Sequence, residues 1–138
     1  MPVEFPIGTK VIALGRIANP VIPILVLTRN GYLPFDFLID TGADCSMIPA
    51  SIAETELGIH LARCPQDTFL GIEGHGLRVY QGWLPVKIGP YPLRLRCVFS
   101  PHEHSPLILG RMGLFRHFTI TFDNQRRVVR FTKLTRSP

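Results

Sequence analysis

Residues 37–44 read Phe-Leu-Ile-Asp-Thr-Gly-Ala-Asp, and this stretch carries most of the structural and chemical information in the chain. An apolar run ends on the carboxylate of Asp40, although a carboxylate in apolar surroundings is costly unless it is paired. Thr41 adds a hydroxyl group, and Gly42 has no Cβ, so another group can approach the carboxylate closely. The pattern predicts a strand that delivers Asp40 to a site of chemistry.

The residues just before this stretch have the pattern of a β-hairpin. Residues 21–27 are rich in aliphatic side chains, residues 29–31 (Arg-Asn-Gly) supply a turn, and residues 32–39 return as a second strand. Pro34 lacks a backbone N–H, which predicts a sheet edge or a strand start at that point. Asp40 then lies at the end of the hairpin.

The rest of the chain consists mainly of short apolar runs separated by glycine and proline. A short helix is predicted at residues 50–57, where Gly58 supplies the stop, and one or two helical turns are predicted at 112–117. Further strands are predicted at residues 46–49, 68–70, 77–80, 83–88, 93–99, 119–122 and 128–131. Together these elements predict an all-β protein, a small closed β-barrel with one or two short helices.

Length and composition predict one globular domain over residues 1–138. Hydrophobic residues make up 46% of the chain, which is too many for a disordered protein. Charged residues make up only 18%, and the 12 glycines and 13 prolines favour short strands and tight turns over long helices.

Two further motifs accompany the Asp-Thr-Gly stretch. Residues 107–111 read Leu-Ile-Leu-Gly-Arg, and residues 69–76 read Phe-Leu-Gly-Ile-Glu-Gly-His-Gly. In this order and spacing, the three segments resemble the active-site loop, the glycine-rich flap and the second apolar motif of the retropepsin-like aspartic proteases, the single-lobed group typified by retroviral enzymes. The resemblance covers residues 20–131.

The resemblance implies that Asp40, Thr41 and Gly42 form the catalytic loop of an aspartic endopeptidase. That chemistry needs two carboxylates that share one proton, because both cannot ionise at a short separation. Asp36 and Asp123 are not followed by Thr-Gly, so the chain holds one such loop. The second Asp40 would therefore come from a symmetric homodimer.

The resemblance also assigns roles to residues around the catalytic loop. Arg111, with Gly110 before it, would support the loop by pairing with Asp44, since a guanidinium can bind a carboxylate through two N–H groups. The residues expected to contact a peptide or protein substrate are Ala43, Asp44, Gly71, Ile72, Glu73 and Gly74.

Net charge and cysteine content argue against nucleic-acid-binding proteins and metalloproteins. The net charge is +5, but the basic residues are scattered, and the densest cluster, at residues 126–130, is interpreted as a solvated strand end. A nucleic-acid partner is therefore not expected. The three cysteines lack Cys-x-x-Cys spacing, and His102 and His104 are interpreted as loop residues, so no metal or cofactor is expected.

The sequence also predicts a location. The amino terminus lacks a basic start followed by an apolar segment, and the longest apolar run, residues 20–27, is too short to span a bilayer. We expect a cytoplasmic protein with reduced thiols and no membrane association.

Two alternatives to a protease are open at this point. The first is a retropepsin-type fold that dimerises or binds peptides without cleaving them. The second is a small basic barrel that binds RNA or DNA, which would require a positive face that the sequence does not define.

Overall fold

The strands of the protein pair edge to edge into a closed ring. The computed structural model describes residues 1–70 and 76–135, with the side chains of residues 69 and 70 excepted. In chain order the strands are β1 Val3–Pro6, β2 Gly8–Ile12, β3 Gly15–Asn19, β4 Val21–Thr28, β5 Gly31–Ile39, β6 Ser46–Pro49, β7 Gln66–Leu70, β8 Gly76–Ile88, β9 Tyr91–Ser100, β10 Ile108–Leu109, β11 Phe118–Asp123 and β12 Val128–Lys133. Helix α1 spans Ala50–Thr55, and a 3-10 turn spans Leu61–Arg63.

The ring is formed by six of these strands. Their order is β4-β5-β10-β6-β9-β8, and β8 then pairs with β4 through Leu25 opposite Lys87 and Val26 opposite Val86. Strand β7 lies outside the ring, and its one partner among the described strands is β8. The predicted all-β closed barrel is confirmed.

Alternation of side chains along the strands fills the barrel. In β4 the side chains of Ile22, Ile24 and Val26 point inward and are at most 2% exposed, while their neighbours are more accessible. Phe37 of β5 and Phe99 of β9 are fully buried in the same core. Burial of each such side chain contributes about 1.5–3 kcal/mol, which is why the two-residue period specifies these strands.

A second sheet, with the order β1-β12-β11, packs against the barrel. Phe131 of β12 is fully buried and meets Phe5 of β1 edge-to-face, with ring centroids 5.6 Å apart. On the other side of this sheet, Glu4 binds Arg126 and Arg130. The basic cluster at residues 126–130 therefore lies at the start of β12, as interpreted from the sequence.

Several predicted boundaries were wrong. The segments at residues 77–80 and 83–88 form a single strand, β8, and the helix α1 ends at Thr55, two residues before the expected end. Residues 112–117 form consecutive turns, with hydrogen bonds such as Phe115 N–H to the Arg111 carbonyl, and no helix. Gly58 has a φ of +71°, consistent with its predicted role in stopping the helix.

Strands β1, β2, β3 and β10 and the 3-10 turn were not predicted. The β2–β3 hairpin is exposed along its length, so its sequence lacks the alternation by which a half-buried strand is recognised. Pro34 lies on β5 where that strand has only β4 as a neighbour, because β10 pairs with β5 only at Leu38 and Ile39. The predicted sheet edge is confirmed there.

Within the described ranges, no helix is long and apolar enough to cross a membrane.

Candidate active site

The end of β5 places Asp40 beside the second apolar motif. Strands β5 and β10 run parallel, with Leu38 opposite Ile108 and Ile39 opposite Leu109. The backbone N–H of Asp40 donates to the carbonyl of Leu109 at 3.0 Å. Two motifs that are far apart in sequence thus meet at the base of one loop.

The loop after Asp40 is a tight turn around the carboxylate. The N–H of Gly42 donates to Asp40 Oδ1 at 3.0 Å, and the N–H of Ala43 donates to the Asp40 carbonyl at 3.1 Å. A Cβ at Gly42 would lie 3.3 Å from Asp40 Oδ1, so glycine gives the N–H unhindered access to the carboxylate. Asp40 is half-buried, Thr41 and Gly42 are exposed, and within the described residues no cation forms an ion pair with Asp40.

The far side of the loop is held by the residues after β10. Arg111 Nη2 donates to Asp44 Oδ1, and this is the one hydrogen bond between the two side chains. The two-pronged contact expected from the sequence is therefore absent. The backbone adds two bonds, from Arg111 N–H to the Ala43 carbonyl at 3.0 Å and from Met112 N–H to the Asp44 carbonyl at 2.8 Å. The position of the loop thus depends on the backbone at least as much as on the ion pair.

Gly110 lies directly against the loop backbone. A Cβ at this position would overlap the carbonyl group of Cys45. Its N–H donates to Ser46 Oγ at 3.1 Å, and Ser46 is fully buried. Only glycine lets the two chain segments approach this closely.

Two adjoining depressions extend from the loop on either side of Asp44 and Cys45. The first has a volume of about 250 Å³ and the second about 190 Å³. The second is mostly apolar, with Met47, Val98 and Ile108 in its wall. Depressions beside a carboxylate-bearing loop are suited to the side chains of an extended ligand.

The first depression contains residues that sequence reasoning missed. Arg96 contacts the face of Trp83, with its guanidinium carbon 4.7 Å from the ring centroid, and donates to Gln81 Oε1 at 3.4 Å. Gln81 in turn donates to Asp67 Oδ2 at 3.1 Å. These residues lie on three different strands, and no local motif marks them, so only the pairing of β7, β8 and β9 brings them together.

Cys45 lies in the cleft but is not an activated nucleophile. Burial raises the pKa of its thiol, and the neighbouring Asp44 carboxylate raises it further. Burial also raises the pKa of Cys97. Because the thiolate is the reactive form of cysteine, a raised pKa argues against cysteine-based catalysis.

The three cysteines are unpaired by disulfides. In residues 1–70 and 76–135, no group of three or more His, Cys, Asp or Glu side chains could hold a metal ion.

The predicted flap residues Gly71, Ile72, Glu73 and Gly74 lie outside the described residues. The strands that lead to them pair in antiparallel fashion up to Leu70 opposite Gly76.

Thr41 lines an apolar groove that shares no lining residue with the two depressions. The groove is lined by Thr41 together with Phe115, Phe118, Ile120 and Phe122. Phe115 and Phe122 are 44% and 41% exposed, which is unusual for side chains of this size. The sequence analysis did not connect these aromatic residues with the catalytic loop.

Comparison with known proteins identifies the family and the fold of the chain. The family model described as "Aspartyl protease" matches residues 24–112, more than half of the chain, and the chain therefore belongs to the aspartyl protease family. The comparison with curated proteins gave no significant match.

Among solved structures, a retropepsin-like aspartic protease from Rickettsia conorii is similar, with a TM-score of 0.64 and 18% identity over 95% of this chain and 89% of that one. EIAV protease in complex with the inhibitor HBY-793 matches with a TM-score of 0.47 and 21% identity over 67% of this chain and 82% of that one. The Rickettsia structure shows that the fold is retropepsin-like.

Proposed function

We propose that the protein is an aspartic endopeptidase that acts as a homodimer and hydrolyses peptide bonds with a water molecule held between two Asp40 carboxylates. The observation that carries this proposal is the environment of Asp40. Its Oδ1 accepts the Gly42 N–H, and the carboxylate has no ion-pair partner in the described part of the chain. The carboxylate is therefore held in place but is free to exchange a proton.

The chemistry follows from a pair of such carboxylates sharing one proton. The ionised carboxylate takes a proton from water, and the oxygen of that water forms a bond to the carbonyl carbon of the substrate. The protonated carboxyl group gives its proton to the carbonyl oxygen. The tetrahedral intermediate then collapses: one of its hydroxyl groups gives a proton to the ionised carboxylate, and the leaving nitrogen takes a proton from the other carboxyl group as the C–N bond breaks. The dyad again carries one proton.

Among the described residues, the other aspartates are poor sources of the second carboxylate. Asp67 already accepts a hydrogen bond from Gln81 Nε2 at 3.1 Å. Asp44 binds Arg111, and Asp123 accepts the Arg126 N–H at 3.0 Å and lies 3.8 Å from Arg130. Asp36 is exposed on β5 opposite Pro23. A second copy of Asp40, related by a two-fold axis near Thr41, supplies the missing group.

The substrate then lies along the cleft next to the loop. Ala43 and Asp44 offer polar groups to its backbone, the two depressions receive its side chains, and Gly71, Ile72, Glu73 and Gly74 cover it as a flap. This arrangement favours an extended peptide, because alternate side chains of a strand reach pockets on opposite sides. Gly110 and Arg111 maintain the loop that positions the carboxylate.

The test is digestion of a peptide library at several pH values from acidic to neutral, with mass-spectrometric identification of the products. Wild type should cleave best at acidic pH, where the dyad carries one proton, and a statine-type mimic of the tetrahedral intermediate should block it. A chelator or a thiol reagent should have no effect.

The matched variants are Asp40→Asn and Asp36→Asn. Asp40→Asn keeps the side-chain shape but removes the base, so turnover should fall by at least about 10²–10⁴-fold. Asp36→Asn changes an exposed carboxylate outside the loop and should retain activity. Equal turnover of wild type and Asp40→Asn would exclude the mechanism, and binding of peptides without any cleavage would favour the non-catalytic peptide-binding alternative.

A further inference from the structure

The β2–β3 hairpin is separate from the barrel sheet and ends in exposed apolar residues. Its two strands form a sheet of their own, which pairs with no other described strand. Residues 8–18 are all exposed, and Leu14 and Val11 are 96% and 73% exposed. An isolated two-stranded hairpin is only marginally stable in water. A surface that covers these aliphatic side chains would therefore stabilise the hairpin.

The apolar end of the hairpin lies between two basic residues. Residues 10–16 read Lys-Val-Ile-Ala-Leu-Gly-Arg, and we call the four apolar residues 11–14 the hairpin tip. Residues 8–19 include no aspartate or glutamate. An apolar segment flanked by lysine or arginine is typical of segments that lie in the interfacial region of a membrane.

The strand register places the two basic residues on opposite faces of the hairpin. Lys10 pairs with Ile17, and Val11 pairs with Arg16. Residues directly opposite each other share a face, and successive residues alternate between faces, so Lys10 and Arg16 project on different faces at almost the same distance from the turn. Neither face is apolar along its length, as packing against a flat protein surface would require. The apolar residues are instead collected at the tip.

A depression of about 360 Å³ lies between the hairpin and the turn that joins β11 to β12. Its wall includes Arg16 of the hairpin and Arg127 of the turn, and none of the described residues that line it is acidic. Neither arginine forms an ion pair with the described residues. Two guanidinium groups beside one depression are suited to a phosphate group, which they can bind through several N–H groups.

The acidic residues of the neighbouring three-stranded sheet do not neutralise this depression. Glu4 binds Arg126 and Arg130, and Asp123 accepts the Arg126 N–H and lies 3.8 Å from Arg130. Both carboxylates thus have cations of their own. The surface around the base of the hairpin remains positive and favours an anionic partner.

We propose that the β2–β3 hairpin docks on an anionic membrane surface. The hairpin tip enters the boundary between headgroups and acyl chains, Lys10 and Arg16 lie among the headgroups, and the depression receives a lipid phosphate between Arg16 and Arg127. The basic residues lie about 7–10 Å from the end of the hairpin along the strands, which matches the depth to which interfacial segments are buried.

This docking surface goes beyond the proposed peptidase and is separate from its site. The residues of the hairpin line neither the two depressions beside Asp44 and Cys45 nor the groove beside Thr41. A peripheral contact also requires no spanning segment, and the lack of such a segment was the basis for expecting no membrane association.

The test is flotation of the full chain with lipid vesicles in a density gradient. One vesicle sample contains about 70% phosphatidylcholine and 30% phosphatidylserine, and the other contains phosphatidylcholine alone. Wild type should float with the anionic vesicles and remain at the bottom with the neutral ones. An increase in salt to about 0.5 M should weaken the binding, because salt screens the attraction between basic residues and the lipid surface.

The apolar part of the contact is tested with Leu14→Ser. This substitution should lower the vesicle partition coefficient about tenfold or more, because the leucine side chain no longer transfers from water to the lipid interface. Leu14 is almost fully exposed, so its replacement should leave the fold intact. Leu27→Ser is the matched control, since Leu27 is 42% exposed on β4, outside the hairpin, and it should float like wild type.

The charged part of the contact is tested with Lys10→Gln, Arg16→Gln and Arg127→Gln. Each should lower the partition coefficient about fivefold, the contribution typical of one basic residue at an anionic surface. Arg63→Gln removes the same charge from the 3-10 turn and should have a smaller effect, because Arg63 lies on a different element and forms no ion pair with the described residues.

Tryptophan fluorescence locates the tip in the bilayer. Trp83 is the one tryptophan of the chain, so Leu14→Trp is made together with Trp83→Phe. Its emission should shift to shorter wavelength on the anionic vesicles and should be quenched by brominated acyl chains. Leu27→Trp in the same background is the control and should show neither change.

Three outcomes would overturn the proposal. They are failure of wild type to float with the anionic vesicles, equal flotation with anionic and neutral vesicles, and equal flotation of Leu14→Ser and wild type. If Leu14→Ser weakens self-association in sedimentation equilibrium but floats like wild type, the tip covers a second copy of the chain instead. None of these measurements uses hydrolysis, so failure of the membrane proposal and failure of the proposed peptidase are distinguishable.

Discussion

Gly110 donates its backbone N–H to the buried hydroxyl of Ser46 at 3.1 Å and lies so close to the chain at Cys45 that no Cβ fits between them. This contact joins the segment after β10 to the segment after the catalytic loop. The Asp-Thr-Gly loop is thus positioned by the backbone of a residue that carries no side chain.

Gly110→Ala should destabilise the fold. The added methyl group meets backbone atoms, which cannot move aside as a flexible side chain can, so we expect a loss of about 1–3 kcal/mol or more in the free energy of unfolding. Urea denaturation measures the change. Gly8→Ala is the control, because a Cβ at Gly8 has nothing within 4 Å. Equal stability of the two variants would contradict the packing argument.

Arg111→Lys should weaken the ion pair with Asp44 despite the conserved charge. Lysine presents a point charge on a flexible stem and cannot reproduce the directed N–H of a guanidinium. Because two backbone bonds also hold the loop, we expect a moderate decrease in kcat/KM with little change in the urea midpoint. Arg116→Lys is the control and should leave kcat/KM nearly unchanged, because the Arg116 side chain has no ion pair with the described residues. Unimpaired turnover of Arg111→Lys would show that the backbone bonds alone are sufficient.

Activity should require association, because the proposed mechanism uses one Asp40 carboxylate from each of two chains. Specific activity should rise with protein concentration around the dimer dissociation constant and then reach a plateau. Mixing wild type with a ninefold excess of Asp40→Asn should reduce activity per wild-type chain to about one tenth, because random pairing leaves few dimers with two aspartates. Full activity of a strictly monomeric protein in sedimentation velocity would rule out the dimeric mechanism.

Glu4 should stabilise the protein in a pH-dependent way. Hydrogen bonds from Arg126 and then from Arg130 lower the pKa of Glu4 below its ordinary value of 4.5 in the folded protein. A lowered pKa means that the contribution to stability is present above pH 4.5 and is lost as the pH falls through the lowered value. Glu4→Gln should therefore reduce the urea midpoint at neutral pH, and its difference from wild type should disappear in acid.

The control for this prediction is Glu103→Gln. Glu103 forms no ion pair with the described residues, so its substitution should leave the urea midpoint nearly unchanged at both pH values. A constant difference between Glu4→Gln and wild type across the pH range would contradict the role of the ionised carboxylate.

The long strands β4 and β5 were predictable from the sequence, whereas the exposed β2–β3 hairpin was not. The alternation in β4 and the apolar end of β5 reflect burial on one side, which selects every second residue. The β2–β3 hairpin buries neither face, so its residues carry no such period. Residues 112–117 were predicted to form one or two helical turns; they form consecutive turns in which Gly113 has a φ of +81°.

The sequence by itself determined the Asp-Thr-Gly loop and its second motif. Asp40, Gly42 and Gly110 meet local requirements for a carboxylate, an unhindered N–H and a close approach of two backbones. Only the tertiary structure decided which other residues share the site. Arg96 reaches the cleft through the pairing of β8 with β9, and Ile120 and Phe122 reach Thr41 because the second sheet packs beside the loop. Such contacts join residues far apart in the chain, and a local pattern reports the burial of a side chain but not the neighbour against which it packs.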